Sequence, residues 1–487
     1  MLRKLFLVLA LMLSVTTAAA QEAMPGDAGV GDSHYPELGN GGYDVQHYTL
    51  DLTVDVQTNQ LSAVATIDAL ATQPLSAFNL DFRGPDIESV MVDEALAKFS
   101  RAGGELTIEL NTPLSEGDRF TATIAYSGTP TPVRDPSLNF RIGWNQAGDD
   151  LIFVVSEPNG SATWYPVNDH PSDKATYSYT VTVPAGYVVA ANGVLEDVVE
   201  ADDTTTFRWE MRQPMASYLA TVNIGEFIVQ TSESESGVRV RNYFPERAAD
   251  LAELTFSFQP EMIDFYSEVF GPYPFEEYGA IVIDAPLSFA LETQTLSIFG
   301  SSVLMRGMPG AQEVIAHELA HQWFGNHVTL ASWPDIWLNE GFATYASWLW
   351  AEHKAGSEAL DRTIRQIYDL LSGNTLRERG ASQNEVNRQI GRYVPPGSAP
   401  ADDLFNGGVY VRGALVLHAL RVRVGDEAFF TILRTYYDRY AGGNAATADF
   451  IAVAEEISGQ ALGDFFDAWL YDPVVPPIPE MALAVYE

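Results

Sequence analysis

The first half of the chain has a period of two. Between Tyr43 and Val229, apolar and polar residues alternate in YDVQHYTLDLTVDV, LSAVATIDAL, ELTIEL, FTATIAY, YSYTVTV and YLATVNIGEFIV. This alternation is typical of strands with one buried face. Turn sequences such as Ser-Glu-Gly-Asp at 115–118 and Pro-Ala-Gly at 184–186 separate the segments. We therefore predict an all-β domain over residues 43–230, either a sandwich or an open, saddle-like sheet.

The second half changes to a helical period. Two strand-like segments, VRVRNYF and YGAIVID, flank a helical run from Ala249 to Phe270, and beyond Ala311 most apolar residues recur at helical spacing. A small mixed sheet followed by helices predicts a mostly helical α+β domain over residues 231–472. The helices predicted beyond Ala311 cover residues 311–325, 335–353, 355–373, 409–423, 426–440, 447–457 and 463–471.

The two ends of the chain differ from these domains. Residues 1–20 combine Arg3 and Lys4, an apolar run and Ala18-Ala19-Ala20, which is the pattern of a cleavable signal peptide cut after Ala20. The expectation is a secreted or periplasmic protein, with an uncleaved anchor as the alternative and no later apolar run of membrane-spanning length. Residues 21–42 are rich in Gly and Asp and predict a flexible leader, and residues 473–487 predict a short tail.

Composition narrows the chemistry. The 487 residues are 46% hydrophobic, carry a formal net charge of −38 and include no cysteine. A strongly acidic chain argues against nucleic acid as a partner, because phosphate binding requires a basic face. Without cysteine there is no disulfide and no thiol nucleophile, so a metal would have to bind to histidine and carboxylate.

One stretch carries the strongest chemical signal. AQEVIAHELAHQWFGN is followed by WPDIWLNEGFATY. Helical spacing places His317 and His321 one turn apart on one face, where both imidazoles can bind one metal ion, with Glu318 beside it as a base. Glu340, 19 residues after His321, is the candidate third ligand. The alternative is a chance motif whose polar residues face water, but three of the eight histidines, including His327, fall within eleven residues of a largely apolar helix.

These two segments closely resemble the zinc aminopeptidases of the aminopeptidase N type, a family that includes leukotriene hydrolase. The resemblance implies one zinc per chain, held by His317, His321 and Glu340, with Glu318 as general base and a thermolysin-like second domain. Larger members of that family continue with a β-sandwich and a helical superdomain, so the chain corresponds to a short form. The implied partners are peptides with a free N-terminus.

Glu292 extends the resemblance. It lies in FALETQT, where the family has Gly-Ala-Met-Glu-Asn and uses the glutamate to hold the substrate's α-amine. Phe289, Leu291 and Thr293 depart from that pattern. From the residues alone, a surface glutamate on an edge strand is the commoner case.

Two further positions match the family less completely. Glu157 corresponds to the glutamate of a Gln-x-Glu pair that reaches the active site, although Val155 occupies the glutamine position, and a simple turn residue is the alternative. Tyr410, in GVYVRGA, corresponds to a tyrosine that stabilises the oxyanion, with Arg412 in the place of a lysine. A core tyrosine is the alternative, since the chain has 22. Thr344, one helical turn after Glu340, is a candidate support for a ligand.

The resulting hypothesis is a secreted zinc aminopeptidase. Two other classes remain open at this point. A related metalloenzyme could act as an endopeptidase or an epoxide hydrolase, and a non-catalytic binding protein could retain the same scaffold.

Overall fold

The computed structural model describes residues 22–486, and the predicted signal peptide lies outside this range. The strands of the N-terminal domain are β1 (Met24–Pro25), β2 (Tyr43–Asp55), β3 (Gln60–Ala71), β4 (Leu75–Asp81), β5 (Asp86–Val92), β6 (Ala95–Leu96), β7 (Lys98–Ala102), β8 (Glu105–Leu114), β9 (Arg119–Gly128), β10 (Val133–Arg134), β11 (Arg141–Ala147), β12 (Leu151–Val155), β13 (Lys174–Pro184), β14 (Val188–Ala191), β15 (Val194–Glu200), β16 (Thr204–Ala216) and β17 (Val222–Gly225).

These strands form three open sheets. The largest has the order β15-β16-β13-β2-β3-β9-β5-β6, and two smaller sheets have the orders β1-β4-β8-β7 and β10-β11-β12-β17-β14. Strand β13 shows the predicted alternation, since every second residue from Ala175 to Val183 is buried. The prediction of an all-β domain is confirmed, with open sheets, and buried residues of all three sheets belong to one hydrophobic cluster.

The second domain begins with a six-stranded mixed sheet. Its strands are β18 (Phe227–Glu233), β19 (Arg239–Pro245), β20 (Glu277–Tyr278), β21 (Ala280–Ile283), β22 (Ala290–Leu291) and β23 (Ser297–Gly300). The sheet order is β18-β19-β21-β23-β22, with β20 pairing to β19, and the edge strand β22 runs antiparallel to β23. β18 pairs with β19, so residues 227–233 belong to the sheet of the second domain.

Helices make up the rest of this domain. They are α1 (Ala249–Phe256), α2 (Gln259–Phe270), α3 (Gly307–Ala320), α4 (Trp337–Ala355), α5 (Ser357–Ser372), α6 (Asn374–Glu378), α7 (Gln383–Ile390), a π-helical turn (Gly408–Arg412), α8 (Gly413–Val424), α9 (Asp426–Tyr440), α10 (Thr447–Ser458) and α11 (Gly463–Leu470). A short parallel pair, β24 (Thr329–Leu330) and β25 (Asn444–Ala445), joins the loops between them.

The helix predictions hold with small differences. α9 has the predicted bounds, whereas α3 begins at Gly307 rather than at residue 311 and ends at Ala320, five residues before the predicted stop at Gly325-Asn326. α6 and α7 were not predicted. No helix among residues 22–486 is long and apolar enough to span a membrane.

The predicted flexible leader is instead packed between the two domains. Buried Asp32 accepts hydrogen bonds from the backbone N–H groups of His34 and Tyr35 at 2.7 and 3.1 Å, and from that of Trp333 in the second domain at 2.8 Å. It also pairs with the buried His170 imidazole at 3.2 Å. These contacts hold the segment in place, because a buried carboxylate requires its hydrogen-bond partners.

The tail is also packed. The backbones of Ile478 and Leu483 pair, and the Asn374 side chain donates to the carbonyl of Ala484 at 2.9 Å. The described part of the tail therefore lies against the second domain.

Candidate metal and active site

Helices α3 and α4 bring three ligand atoms together. The Nε2 atoms of His317 and His321 are 3.0 Å apart, and Glu340 Oε2 lies 3.1 Å from the first and 3.4 Å from the second. Ligand atoms on a tetrahedral zinc ion, with bonds of 2.0–2.1 Å, are separated by about 3.3 Å. The three predicted ligands therefore converge at the spacing that a zinc ion requires.

The Nδ1 atoms of both imidazoles, which point away from the metal-binding position, also have hydrogen-bond partners. His321 Nδ1 lies 3.1 Å from the carbonyl oxygen of Phe324. Since a carbonyl only accepts, Nδ1 carries a proton, and Nε2 is the nitrogen that is left to bind a metal. Thr344 Oγ1 lies 3.4 Å from His317 Nδ1, which is the supporting position predicted for it.

Glu340 has a partner for each oxygen. Oε2 faces the histidines, and Oε1 accepts a hydrogen bond from the Tyr410 hydroxyl at 3.0 Å. Burial alone would raise the pKa of Glu340, but contacts with His317 and His321 outweigh it and lower the pKa to about 2. Conversely, burial would lower the pKa of His321, but the charges of Glu292, Glu340 and Glu318 raise it to about 10. The electrostatic field at the position between His317, His321 and Glu340 therefore favours a positive charge.

Three further buried glutamates surround the same point. Burial raises the pKa of Glu157, Glu292 and Glu318. The charge of His321 lowers the pKa of Glu292 and Glu318 in part, and the negative charges of neighbouring glutamates raise the pKa of all three. Glu292, Glu318 and His321 form a second group of converging ligand atoms. Within residues 22–486, one oxygen of Glu157 and one of Glu292 are buried without a hydrogen-bond partner. Burying an acceptor oxygen in this way lowers the stability of the folded protein unless a cation or a hydrogen-bond donor approaches it.

Two amide side chains fix the position of Glu292. Its carbonyl oxygen accepts hydrogen bonds from Asn326 Nδ2 at 2.7 Å and from Gln322 Nε2 at 3.2 Å. The Gln322 Oε1 atom in turn accepts from the Thr295 N–H at 2.9 Å. The sequence analysis did not identify Gln322 and Asn326, although both lie in the AHQWFGN segment directly after the motif.

All seven predicted site residues line one cavity of about 450 Å³. Glu157 enters it from the loop after β12 and Tyr410 from the π-helical turn. Glu292 directly follows β22, His321 directly follows α3, and the others lie on α3 and α4. The rest of the lining is Ser137, Leu138, Asn139, Phe140, Ile142, Val155, Ser288, Phe289, Ala290, Leu291 and Phe405. Arg412 does not line this cavity, because its guanidinium donates to the carbonyls of Ala468, Trp469 and Asp472.

The remaining histidines near these elements make structural contacts. His327 Nδ1 lies 2.9 Å from the Tyr437 hydroxyl, and His418 Nδ1 lies 3.2 Å from that of Tyr345.

An HExxH helix, a glutamate from the following helix and a cavity between a β domain and a helical domain define a metallopeptidase scaffold. The chain belongs to peptidase family M1. The model of the peptidase M1 N-terminal domain matches residues 44–219, and that of the peptidase family M1 domain matches residues 254–469.

Relatives in this family differ in length. The chain is 30% identical to aminopeptidase M1 of Arabidopsis thaliana over 347 residues, which cover 68% of the chain and 38% of that protein. It is 26% identical to aminopeptidase B of Mus musculus over 403 residues, which cover 79% of the chain and 59% of that protein. The chain thus matches less than two thirds of the length of each of these two relatives.

Solved structures match over the full two-domain unit. The M1 zinc metallopeptidase from Deinococcus radiodurans is 33% identical, with a TM-score of 0.80, over 94% of this chain and 100% of that chain. A mutant of that metallopeptidase, bound to a Tyr-Ser-Ala substrate, is 32% identical with a TM-score of 0.80. The match covers 93% of this chain and 100% of that chain.

Proposed function

We propose that the protein is a zinc aminopeptidase that releases the N-terminal residue from peptides, with one zinc per chain held by His317, His321 and Glu340. The observation that carries this proposal is the pair of buried glutamates Glu157 and Glu292, which both line the metal-binding cavity and which each have one buried oxygen without a hydrogen-bond partner among residues 22–486. The ammonium group of a peptide N-terminus is the cation that peptide hydrolysis would bring to that place.

The donor set agrees with zinc, because two imidazoles and one carboxylate leave a fourth position open for water or substrate. When bound, zinc supplies a Lewis acid that lowers the pKa of water and polarises a carbonyl. Glu318 lines the same cavity and follows His317 directly in the chain. It accepts a proton from the attacking water and returns it to the leaving amine.

Tyr410, Glu292 and Glu157 complete the proposed reaction site. The Tyr410 hydroxyl lies at the cavity wall, 3.0 Å from Glu340 Oε1, and donates a hydrogen bond to the oxyanion that forms when water attacks the carbonyl. Glu292 and Glu157 bind the free ammonium group, which places the first peptide bond at the metal-binding end. This arrangement makes the reaction an exopeptidase reaction.

The test combines metal analysis with matched substrates. The purified mature protein should contain one zinc per chain and hydrolyse Leu-Ser-Ala, while N-acetyl-Leu-Ser-Ala should be cleaved at least 100-fold more slowly, because acetylation removes the ammonium charge. Equal cleavage of both peptides would indicate an endopeptidase. Zinc binding without cleavage of either peptide would indicate a non-catalytic binding protein. If the zinc-bound protein instead hydrolysed an epoxide substrate, it would be an epoxide hydrolase.

We also propose export from the cytoplasm, supported by the signal-peptide pattern of residues 1–20. Mass analysis of protein from cell fractions and medium should find a mature N-terminus at Gln21. A full-length N-terminus at Met1 in every fraction would contradict this proposal.

A further inference from the structure

Two phenylalanines from different domains stack across the wall of the cavity. The rings of Phe140 and Phe289 have centroids 3.8 Å apart and an interplanar angle of 14°. Both are half-buried and line the cavity. Phe140 immediately precedes β11 of the N-terminal domain, and Phe289 immediately precedes β22 of the second domain. Their stack is therefore an apolar contact between the domains that faces the substrate space.

The loop that carries Phe140 is anchored at its start. The buried carboxylate of Asp135 accepts hydrogen bonds from the Tyr35 hydroxyl at 3.2 Å, from the Ser137 N–H at 2.9 Å and from Asn159 Nδ2 at 2.9 Å. Asn159 lies two residues after Glu157. The loop is therefore tied to the segment that carries an ammonium-binding glutamate, so Phe140 is part of a built wall rather than a free surface side chain.

The lining around the stack is apolar or neutral. Outside the site residues already described, the cavity-lining residues include Leu138, Ile142 and Phe405 and no charged side chain. A pocket that selects a basic or acidic side chain requires a compensating charge. This wall instead matches a large apolar side chain, since burying one in such a pocket is favourable without a polar partner.

The strand geometry indicates which residue of a peptide meets the stack. The Phe289 carbonyl accepts from the Gly300 N–H at 3.2 Å, and Ala290 and Leu291 pair with β23, so the backbone from Phe289 to Glu292 is extended. An extended chain advances about 3.3 Å per residue, which places Phe289 about 10 Å from Glu292 along β22. A peptide whose ammonium group lay at Glu292, and which ran alongside this segment toward Phe289, would pass its first residue before it reached the stack.

From these contacts we infer that the Phe140–Phe289 stack is a specificity wall for the residue that follows the scissile bond, and that it selects large apolar side chains there. The inference rests on the proposed aminopeptidase activity and adds the preferred class of second residue. Phe289 and Phe140 are specificity-determining residues and take no part in the bond-breaking step.

The experiment uses two tripeptide series. One varies the second residue (Leu-X-Ala) and the other varies the first (X-Ser-Ala), with Phe, Leu, Ser, Lys and Glu as X. The wild type should cleave Leu-Phe-Ala with a kcat/KM roughly 10- to 100-fold above Leu-Ser-Ala. Phe289→Ala and Phe140→Ala should each reduce that ratio by about tenfold, while the ranking in the X-Ser-Ala series stays unchanged. Phe289→Leu should retain most of the ratio, because it keeps the apolar volume.

Phe99→Ala is the matched control. Phe99 lies on β7, is 40% exposed and does not line the cavity, so this variant should keep the wild-type ratio. An unchanged ratio in the Phe289 and Phe140 variants, or a shift confined to the X-Ser-Ala series, would overturn the inference. A wild type that cleaves no tripeptide of either series would instead refute the proposed function.

Discussion

The two ends of the cavity satisfy their buried carboxylates in different ways. At one end, Glu340 has a partner for each oxygen, with His317 at 3.1 Å and Tyr410 at 3.0 Å. At the other end, Glu157 and Glu292 each keep one buried oxygen without a partner among the described residues. The first end is organised by the protein itself, whereas the second is completed only when a cation arrives.

This difference assigns a separate task to each end. A fully hydrogen-bonded ligand keeps its geometry before the metal binds, which is the usual property of a metal site with a well-ordered surrounding shell. The buried carboxyl groups of Glu157 and Glu292 lack some of their hydrogen-bond partners, so the free-energy cost of removing them from water remains until an ammonium group offsets it. Variants at the two ends should therefore fail in different measurements.

The largest effect is expected at the metal-binding end. Glu340→Gln removes a charged ligand, so we expect zinc affinity to fall more than 100-fold, because even supporting residues around a metal contribute 10- to 100-fold. Bound zinc and peptide cleavage should be lost together. Glu352→Gln is the control, since Glu352 lies on the same helix and pairs with Arg421 at 2.8 Å. A Glu340→Gln protein with one zinc per chain would remove this residue from the ligand set.

Next in size is the loss of the base between the two ends. Glu318→Gln should lower kcat by about 10²- to 10⁴-fold, the range of general acid–base catalysis, while one zinc per chain is retained. Metal content and single-turnover rate should be measured on the same preparation. Wild-type turnover in the zinc-loaded variant would rule out Glu318 as the base.

Much of this site could be predicted from the sequence because it depends on local spacing. The i, i+4 histidines and the glutamate on the next helix follow from helical periodicity, and α9 has the predicted bounds. The contacts of Asp32 could not be found this way. Its partners His170 and Trp333 are 138 and 301 residues away, so no periodic pattern connects them.

Other features escaped prediction for related reasons. The α6 and α7 segment has few apolar residues and its helices have only five and eight residues, so each offers too few apolar positions to establish a period from the sequence. The Phe140–Phe289 stack joins two domains across 149 positions of the chain. The β domain and the helical domain were predictable, but the contacts that join them were not.

A smaller effect is expected at the amine-binding end. Glu292→Gln keeps the shape of the side chain but removes its charge, so the ratio of kcat/KM for free over N-acetylated Leu-Ser-Ala should fall about 100-fold. Zinc content should stay at the wild-type level. Glu235→Gln, at an exposed acidic position, is the matched control. An unchanged ratio of free to acetylated cleavage would show that Glu292 does not bind the ammonium group.

The smallest effect concerns how Glu292 is held. Asn326 donates to the Glu292 carbonyl at 2.7 Å, so Asn326→Ala should displace the glutamate while leaving its charge in place. One hydrogen bond contributes about 1 kcal/mol, which corresponds to a rise in KM of roughly fivefold for free peptides. The acetylated peptide should be cleaved as before, because it does not use the ammonium site. Asn326→Asp should reproduce the rise in KM, since aspartate has the same size but lacks the amide donor. An equal loss with free and acetylated peptides would mean that Asn326 supports the whole site, and the two ends would then not be separable.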